Sequence, residues 1–107
     1  MVVDQEIMVI IEAIKSAIPV ERIYLFGSFA NGTQTENSDY DFFVLIPDGE
    51  IKPLEAMREA RYSLIPLNRK TPIDILADYK SRFDQRSKYN TLERKVASEG
   101  VVLYERA

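Results

Sequence analysis

Apolar side chains recur at helical spacing near the start of the chain. The repeating positions are Ile7, Ile10, Ile11, Ile14 and Ile18. Because steps of three and four residues bring side chains to one face of a helix, this pattern predicts a helix over residues 4–17. Asp4 is a candidate N-cap. Pro19 ends the helix, since proline cannot continue one.

A second helical pattern covers residues 53–64, and Pro53 suits the first turn of a helix. We expect Leu54, Met57 and Leu64 to face the core of the protein. The charged side chains expected to face water are Glu55, Arg58, Glu59 and Arg61.

The end of the chain holds a third helical segment and a short strand. Residues 87–99 predict a helix with Leu92 and Val96 directed inward. Gly100 follows at the position where a left-handed glycine commonly closes a helix. The apolar run at 101–104 then predicts a final strand.

Runs rich in β-branched and aromatic residues predict three further strands, at 21–26, 40–46 and 72–77. Residues 31–38 are all polar or glycine, which indicates a loop. Strands that alternate with helices are typical of α/β and α+β proteins. At this length we expect residues 1–107 to form one domain.

Cysteine and histidine are both absent from the 107 residues. Their absence excludes thiol nucleophiles, disulfides, zinc sites built from Cys and His, and imidazole as a general base. Any chemistry must therefore use carboxylates, hydroxyls, lysine, arginine or backbone amides.

The charge balance argues against a general nucleic-acid binder. The chain carries 14 basic and 17 acidic residues, a net charge of −3, whereas such binders are usually clearly basic. The apolar N-terminal segment is interrupted by charges and lacks the features of a signal peptide. No apolar run reaches the roughly 20 residues that span a bilayer. We therefore expect a soluble cytoplasmic protein.

Two aspartates stand one residue apart where the apolar run at 40–46 begins. Because side chains alternate along a strand, Asp39 and Asp41 should point to one side and Tyr40 to the other. Neighbouring carboxylates repel each other and are costly near a dry core unless a cation lies between them. Magnesium prefers such oxygen ligands and keeps positions free for water and phosphate. The pair therefore predicts a magnesium site.

A Gly-Ser turn precedes the aspartates. Gly27 follows a predicted strand and allows the backbone to turn sharply and approach a ligand. Ser28 would open a short helical turn, where its hydroxyl and nearby N–H groups can hold a phosphate. This turn predicts the phosphate-binding half of the site.

A third carboxylate, Asp74, lies inside the predicted strand at 72–77. An aspartate between two isoleucines is uncommon in a strand without a partner. If this strand lies beside the strand at 40–46, Asp74 completes a triad with Asp39 and Asp41. It could then bind one metal ion and take the proton from an attacking hydroxyl.

The order of these features resembles the DNA polymerase β-type nucleotidyltransferase superfamily. The shared pattern is a Gly-Ser turn, a polar loop, Asp-x-Asp and a later strand aspartate. The chain is most similar to the minimal nucleotidyltransferases that act as antitoxin partners of HEPN toxins, and the similarity extends over almost its whole length. This resemblance implies a small mixed sheet backed by helices.

The resemblance also implies roles for particular residues. Gly27 and Ser28 would bind the phosphates of the nucleotide, ATP in the minimal antitoxin-type members. Asp39, Asp41 and Asp74 would hold two Mg²⁺ ions, and Asp74 would be the base. The acceptor would be a tyrosine of a HEPN-type toxin, to which AMP is transferred.

One position departs from the family pattern. Family members commonly carry a basic residue where this chain has Asn31, which can donate a hydrogen bond but offers no charge to a phosphate. This favours one alternative, a weak or inactive transferase fold that neutralises its partner by contact. Another alternative is transfer to a small molecule such as an aminoglycoside, for which a homodimer would supply the acceptor site. The short chain argues against that alternative because no acceptor domain is visible.

Each feature taken singly has an ordinary structural explanation. Gly27 could end a strand, and Asp39 could belong to a plain turn. Asp78 would be a capping residue at the end of its strand. Four basic residues would form a solvated surface or, as the alternative, a surface that binds a nucleotide or an acidic partner: Arg58, Arg61, Arg69 and Lys70. The joint spacing of turn and aspartates is what favours the nucleotidyltransferase.

Overall fold

The computed structural model describes residues 5–67 and 70–107. Asp4 and Arg69, a predicted N-cap and a predicted surface cation, lie outside the described residues. The helices are α1 (Gln5–Ala17), α2 (Ser28–Asn31), α3 (Pro53–Leu64), α4 (Lys80–Arg86) and α5 (Leu92–Glu99). The strands are β1 (Arg22–Phe26), β2 (Tyr40–Ile46), β3 (Ile73–Tyr79) and β4 (Val101–Glu105).

The four strands form one mixed sheet in the order β3-β2-β1-β4. Strand β1 pairs antiparallel with both β2 and β4. Strands β2 and β3 run parallel, and the connection between them contains α3, as a parallel pair requires a crossover. The mixed α+β fold class is confirmed. Strand β2 lies inside the sheet, which explains its nearly continuous apolar sequence.

One face of the sheet is covered by α1 and α3. The five isoleucines predicted to face the core are all buried, and Met57 and Leu64 also pack there. The prediction for Leu54 is wrong, because its side chain is 79% exposed. Ala56, Ala60 and Leu64 form the buried stripe at four-residue steps instead. Small alanines allow α3 to approach the sheet closely, which turns Leu54 to solvent.

The other face carries a smaller aromatic cluster beneath α4 and α5. Phe83 of α4 stacks on Tyr24 with ring centroids 5.4 Å apart and meets Phe43 edge-on at 5.2 Å. The sequence did not predict α4, because Phe83 is the only large apolar residue in a segment otherwise polar. A single buried ring holds α4 against the sheet by tertiary packing, and the sequence of α4 has no periodic apolar pattern that would predict a helix.

The terminal helix is shorter than predicted and differs in two details. Helix α5 begins at Leu92, where the Thr91 side chain caps it by accepting the N–H of Arg94. Leu92 is 45% exposed, so its predicted inward position is wrong. Gly100 has an extended backbone with φ −73° and does not form a left-handed cap. Its role is close approach, since a Cβ would lie 2.5 Å from the carbonyl oxygen of Val96.

Strand β3 extends to Tyr79, so Asp78 lies within it and not beyond it. The Asp78 carboxylate accepts the N–H of Tyr79 at 2.8 Å and pairs with Arg82 at 3.3 Å. These local partners at the start of α4 give Asp78 a structural role, although the N-cap of α4 is Tyr79. Within residues 5–67 and 70–107, no helix is long and apolar enough to cross a membrane.

Candidate functional site

The register of the sheet brings two of the three predicted carboxylates together. Asp41 of β2 lies directly opposite Asp74 of β3, and on its other side it lies opposite Phe26 of β1. Paired strands are about 4.8 Å apart, and residues opposite each other share a face of the sheet. The expectation that β3 lies beside β2 is therefore confirmed.

The Asp-x-Asp motif spans the start of β2. Tyr40 is buried in the core, where its ring lies 4.5 Å from that of Phe29. Asp41, the next residue in the strand, projects to the opposite face and is half-buried, while Asp39 precedes the strand and is exposed. The alternation thus places Asp41 on the side of the sheet that carries α4 and α5.

Electrostatic repulsion concentrates on Asp41. Burial raises the pKa of this carboxyl, and the nearby carboxylates of Asp74 and then Asp39 raise it further. Within the described ranges, no three Asp or Glu side chains are close enough to form a ready metal cage. The donor set nevertheless fits a hard divalent cation, because a positive charge beside Asp41 would offset both its burial and the repulsion.

Gly27 forms the turn that faces these carboxylates. Its φ of 76° lies in the left-handed region that favours glycine. A Cβ at this position would collide with Oδ2 of Asp41 and lie 3.3 Å from its Cγ. The Gly27 carbonyl accepts the N–H groups of Ala30 and Asn31, at 3.1 and 3.2 Å. The turn therefore packs directly against the Asp-x-Asp motif.

The polar side chains of α2 differ in their partners. No hydrogen bond between described residues engages the Ser28 hydroxyl, which leaves it available to a ligand. The Asn31 side-chain oxygen accepts both the N–H and the hydroxyl of Thr33, at 3.2 and 2.6 Å. Because the oxygen is engaged in this way, the Asn31 NH₂ group is the part that remains for a ligand.

Arg61 contacts the candidate site through Asp74, a contact that the sequence did not specify. Its guanidinium lies 3.9 Å from the Asp74 carboxylate, and it donates to the Ile75 carbonyl at 3.4 Å. The sequence favoured a solvated surface for Arg61, with binding of a nucleotide or of an acidic partner as the alternative. Asp74 lies thirteen positions further along the chain, so no local pattern reveals the contact. Arg58 is exposed as expected, and it lies beside Glu55 and Glu59.

Two concave surfaces differ in their position relative to the site. One of about 640 Å³ is lined by parts of residues 49–58 and by Tyr79, and it contains none of the predicted site residues. The other, of about 180 Å³, lies between the Gly27 turn and α5. Only the second is adjacent to the carboxylates, since Phe26 both lines it and lies opposite Asp41.

The Gly-Ser turn packs against the Asp-x-Asp motif of a mixed sheet, and a further aspartate lies opposite on the next strand. This is the arrangement of a nucleotidyltransferase. Residues 7–101 match the model of the nucleotidyltransferase domain, and this chain belongs to that family. The class of enzyme predicted from the motif is thereby confirmed. No curated protein is similar enough in sequence to be matched to it.

Solved structures agree with this assignment. A toxin–antitoxin crystal structure with AMP-PNP has a TM-score of 0.65 and 25% identity, covering 96% of this chain and 75% of that chain. A putative nucleotidyltransferase from Sulfolobus solfataricus has a TM-score of 0.66 and 18% identity, covering 95% and 79%. The toxin–antitoxin MntA-HpeT, in a mutant with two Asp-to-Glu substitutions, has a TM-score of 0.62 and 21% identity, covering 96% and 75%.

Proposed function

We propose that this protein is the antitoxin of a toxin–antitoxin pair and transfers AMP from ATP to a tyrosine of its HEPN-type toxin in a Mg²⁺-dependent reaction. The observation that carries the proposal is the position of Asp41, which lies opposite Asp74 and against Gly27. The similarity to toxin–antitoxin structures supports the kind of partner. Because the reaction needs a nucleoside triphosphate, we assign it to the cytoplasm.

The three aspartates would bind metal ions, and the Gly-Ser turn would bind phosphate. Asp39, Asp41 and Asp74 would hold two Mg²⁺ ions. Bound there, the ions would neutralise charge on the phosphates and orient the reacting oxygens. Gly27 allows the chain to approach the phosphate tail without a side chain in the way, and the Ser28 hydroxyl donates to a phosphate oxygen. These groups position the α-phosphorus for in-line attack.

The transfer step needs a base and an open approach for the acceptor. The tyrosine oxygen attacks the α-phosphorus, the bond to the bridging oxygen breaks, and pyrophosphate leaves. The tyrosine proton passes to Asp74. Asp74 is suited to this role because β3 is an edge strand and the Asp74 side chain is 58% exposed. A side chain presented by another protein can therefore reach it.

The surface beside Asp74 suits a protein acceptor. Leu54, Tyr62 and Ile65 are exposed by 79, 58 and 70% and follow one side of α3 and its end. Arg61, from the same helix, reaches Asp74. Apolar side chains in such a position give a partner surface to bury close to the acceptor tyrosine.

The proposal predicts that the toxin becomes labelled when it is incubated with this protein, Mg²⁺ and ATP labelled in the α-phosphate. Label should remain on the toxin after denaturation, should map to a tyrosine, and should disappear with chelator or with Asp41→Asn. Glu36→Gln, in the exposed loop before Asp39, is the matched control and should label normally.

The alternative is that the protein neutralises its toxin by binding alone, without nucleotidyl transfer, and the neutral Asn31 favours it. In that case the toxin would be bound and neutralised without label, and Asp41→Asn would neutralise it as well as the unaltered protein. This outcome would contradict the proposed transfer.

A further inference from the structure

The cavity of about 180 Å³ beside the Gly27 turn has no role in the site described so far. It is lined by Phe26, Gly27, Asn31, Leu92, Lys95, Val96 and Glu99. Helix α5 forms one wall, and the end of β1 with α2 forms the other. Because Phe26 is the register partner of Asp41, the cavity opens on the face of the sheet that carries Asp41 and Asp74.

Lys95 brings a positive charge to this cavity. Two other lysines are engaged in ion pairs: Lys15 pairs with Glu12 at 3.3 Å, and Lys80 pairs with Asp84 at 3.0 Å. No ion pair between the described residues includes Lys95. Its ammonium is therefore free to bind an anion that enters the cavity.

The opposite wall lacks charge but supplies a donor. Asn31 is neutral, and its side-chain oxygen is held by Thr33, so its NH₂ group is what a ligand can meet. A lysine facing this amide provides three donors and the full positive charge. Both side chains line the same cavity as Gly27, so a ligand there could meet donors from two sides.

We propose that this cavity receives the terminal phosphates of the nucleoside triphosphate and that Lys95 binds them, supplying from α5 the charge that Asn31 does not supply from α2. This inference rests on the proposed function and names a further binding residue for it. The cavity is too small for a whole nucleotide, because small-molecule ligands usually occupy pockets of roughly 300–1,000 Å³. It therefore fits only a part of the ligand. The position next to Gly27, the proposed phosphate turn, favours the phosphate tail as that part.

Glu99 should have the opposite effect to Lys95 on triphosphate binding. It lines the same cavity one helical turn beyond Lys95, and its carboxylate would repel a bound phosphate. Removing that charge with Glu99→Gln should therefore strengthen triphosphate binding, while removing the charge of Lys95 should weaken it.

Calorimetric titration of the protein with AMP-PNP and with AMP, both in Mg²⁺, tests the inference. Lys95→Ala should weaken AMP-PNP binding about tenfold, the size expected for a hydrogen bond to a charged group, and should leave AMP binding unchanged. The loss should shrink at high ionic strength. Arg94→Ala removes a charge from the same helix outside the cavity and should bind both nucleotides as the unaltered protein does.

A rescue variant separates phosphate binding from a structural effect. Asn31→Arg combined with Lys95→Ala returns a positive charge to the cavity from the other wall, and it should recover most of the AMP-PNP affinity. Lys95→Arg keeps the positive charge and should retain the AMP-PNP affinity of the unaltered protein.

Two results would overturn the assignment of Lys95. Unchanged AMP-PNP affinity in Lys95→Ala would show that the lysine does not bind the phosphates. An equal loss of AMP affinity would show that the cavity holds the base or the sugar instead. If the unaltered protein binds neither nucleotide, the proposed function itself fails, which is a distinct outcome.

Discussion

Replacing Asp41 by asparagine is expected to abolish nucleotidyl transfer and, in metal-free protein at neutral pH, to raise the melting temperature. Activity should fall at least about a hundredfold, since even groups that merely support a metal ligand contribute about 10- to 100-fold. Stability should rise because burial and the carboxylates of Asp74 and Asp39 disfavour the charged form of Asp41. Asparagine keeps the shape of the side chain and removes this charge.

The direction of the stability change follows from the pKa of Asp41. Because the folded pKa is raised above its value in the unfolded chain, the folded state binds the proton more tightly. The stability that this proton contributes is present below the ordinary carboxyl value of 3.8 and is lost as the pH rises through the raised folded value. The advantage of Asp41→Asn should therefore be present at pH 7 and should shrink in acid.

Thermal unfolding in chelator at pH 7 and near pH 3.5 measures this effect, with Glu36→Gln as the matched exposed control. Added Mg²⁺ should stabilise the unaltered protein more than Asp41→Asn, because a bound cation offsets the repulsion. A lower melting temperature for Asp41→Asn at pH 7 in chelator would contradict the electrostatic account of this carboxyl.

Replacing Gly27 by alanine is expected to remove nucleotide binding and to destabilise the fold by about 1–3 kcal/mol, the usual cost of a side chain in a disfavoured backbone region. The backbone at Gly27 has φ 76°, and the new Cβ would collide with Oδ2 of Asp41. Either the turn or the carboxylate must move, and both are parts of the proposed site.

Gly49→Ala separates backbone strain from the collision. Gly49 has φ 86°, but nothing lies within 4 Å of a Cβ placed there. Gly49→Ala should therefore cost stability and leave nucleotide binding intact. Chemical denaturation and nucleotide titration of both variants test the difference.

In a Gly27→Ala protein that also carries Asp41→Ala, part of the lost stability should return, since the colliding carboxylate is gone. Equal nucleotide affinity in both glycine variants would argue against the importance of the close approach.

Local sequence patterns were sufficient to define most of the elements and the motif. The bounds of β2 and α3 agree with the predicted ones because a continuous apolar run and an N-terminal proline are local signals. The motif could also be recognised from sequence, since Gly27, Asp41 and Asp74 each depart from what their local context favours. A glycine that ends a strand and an aspartate among isoleucines both require an explanation that packing alone does not supply.

The tertiary structure decided how these elements face one another. Local periodicity did not show that alanines, and not Leu54, would form the buried side of α3, because the closeness of helix and sheet selects the smaller residue. It also did not reveal that Phe83 would anchor α4. Both outcomes depend on which surfaces meet, and that depends on residues far apart in the chain.

The sequence by itself determined the kinds of groups in the candidate site: carboxylates, a glycine turn and a neutral Asn31. Only the folded chain placed Asp74 opposite Asp41, brought Arg61 within 3.9 Å of Asp74, and put Lys95 across a cavity from Asn31. The physical reason is that strand order and helix docking are set by burial of the whole apolar surface. Side chains that meet across 13 positions of the chain, as Arg61 and Asp74 do, or that line one cavity across 64 positions, as Asn31 and Lys95 do, therefore leave no local pattern.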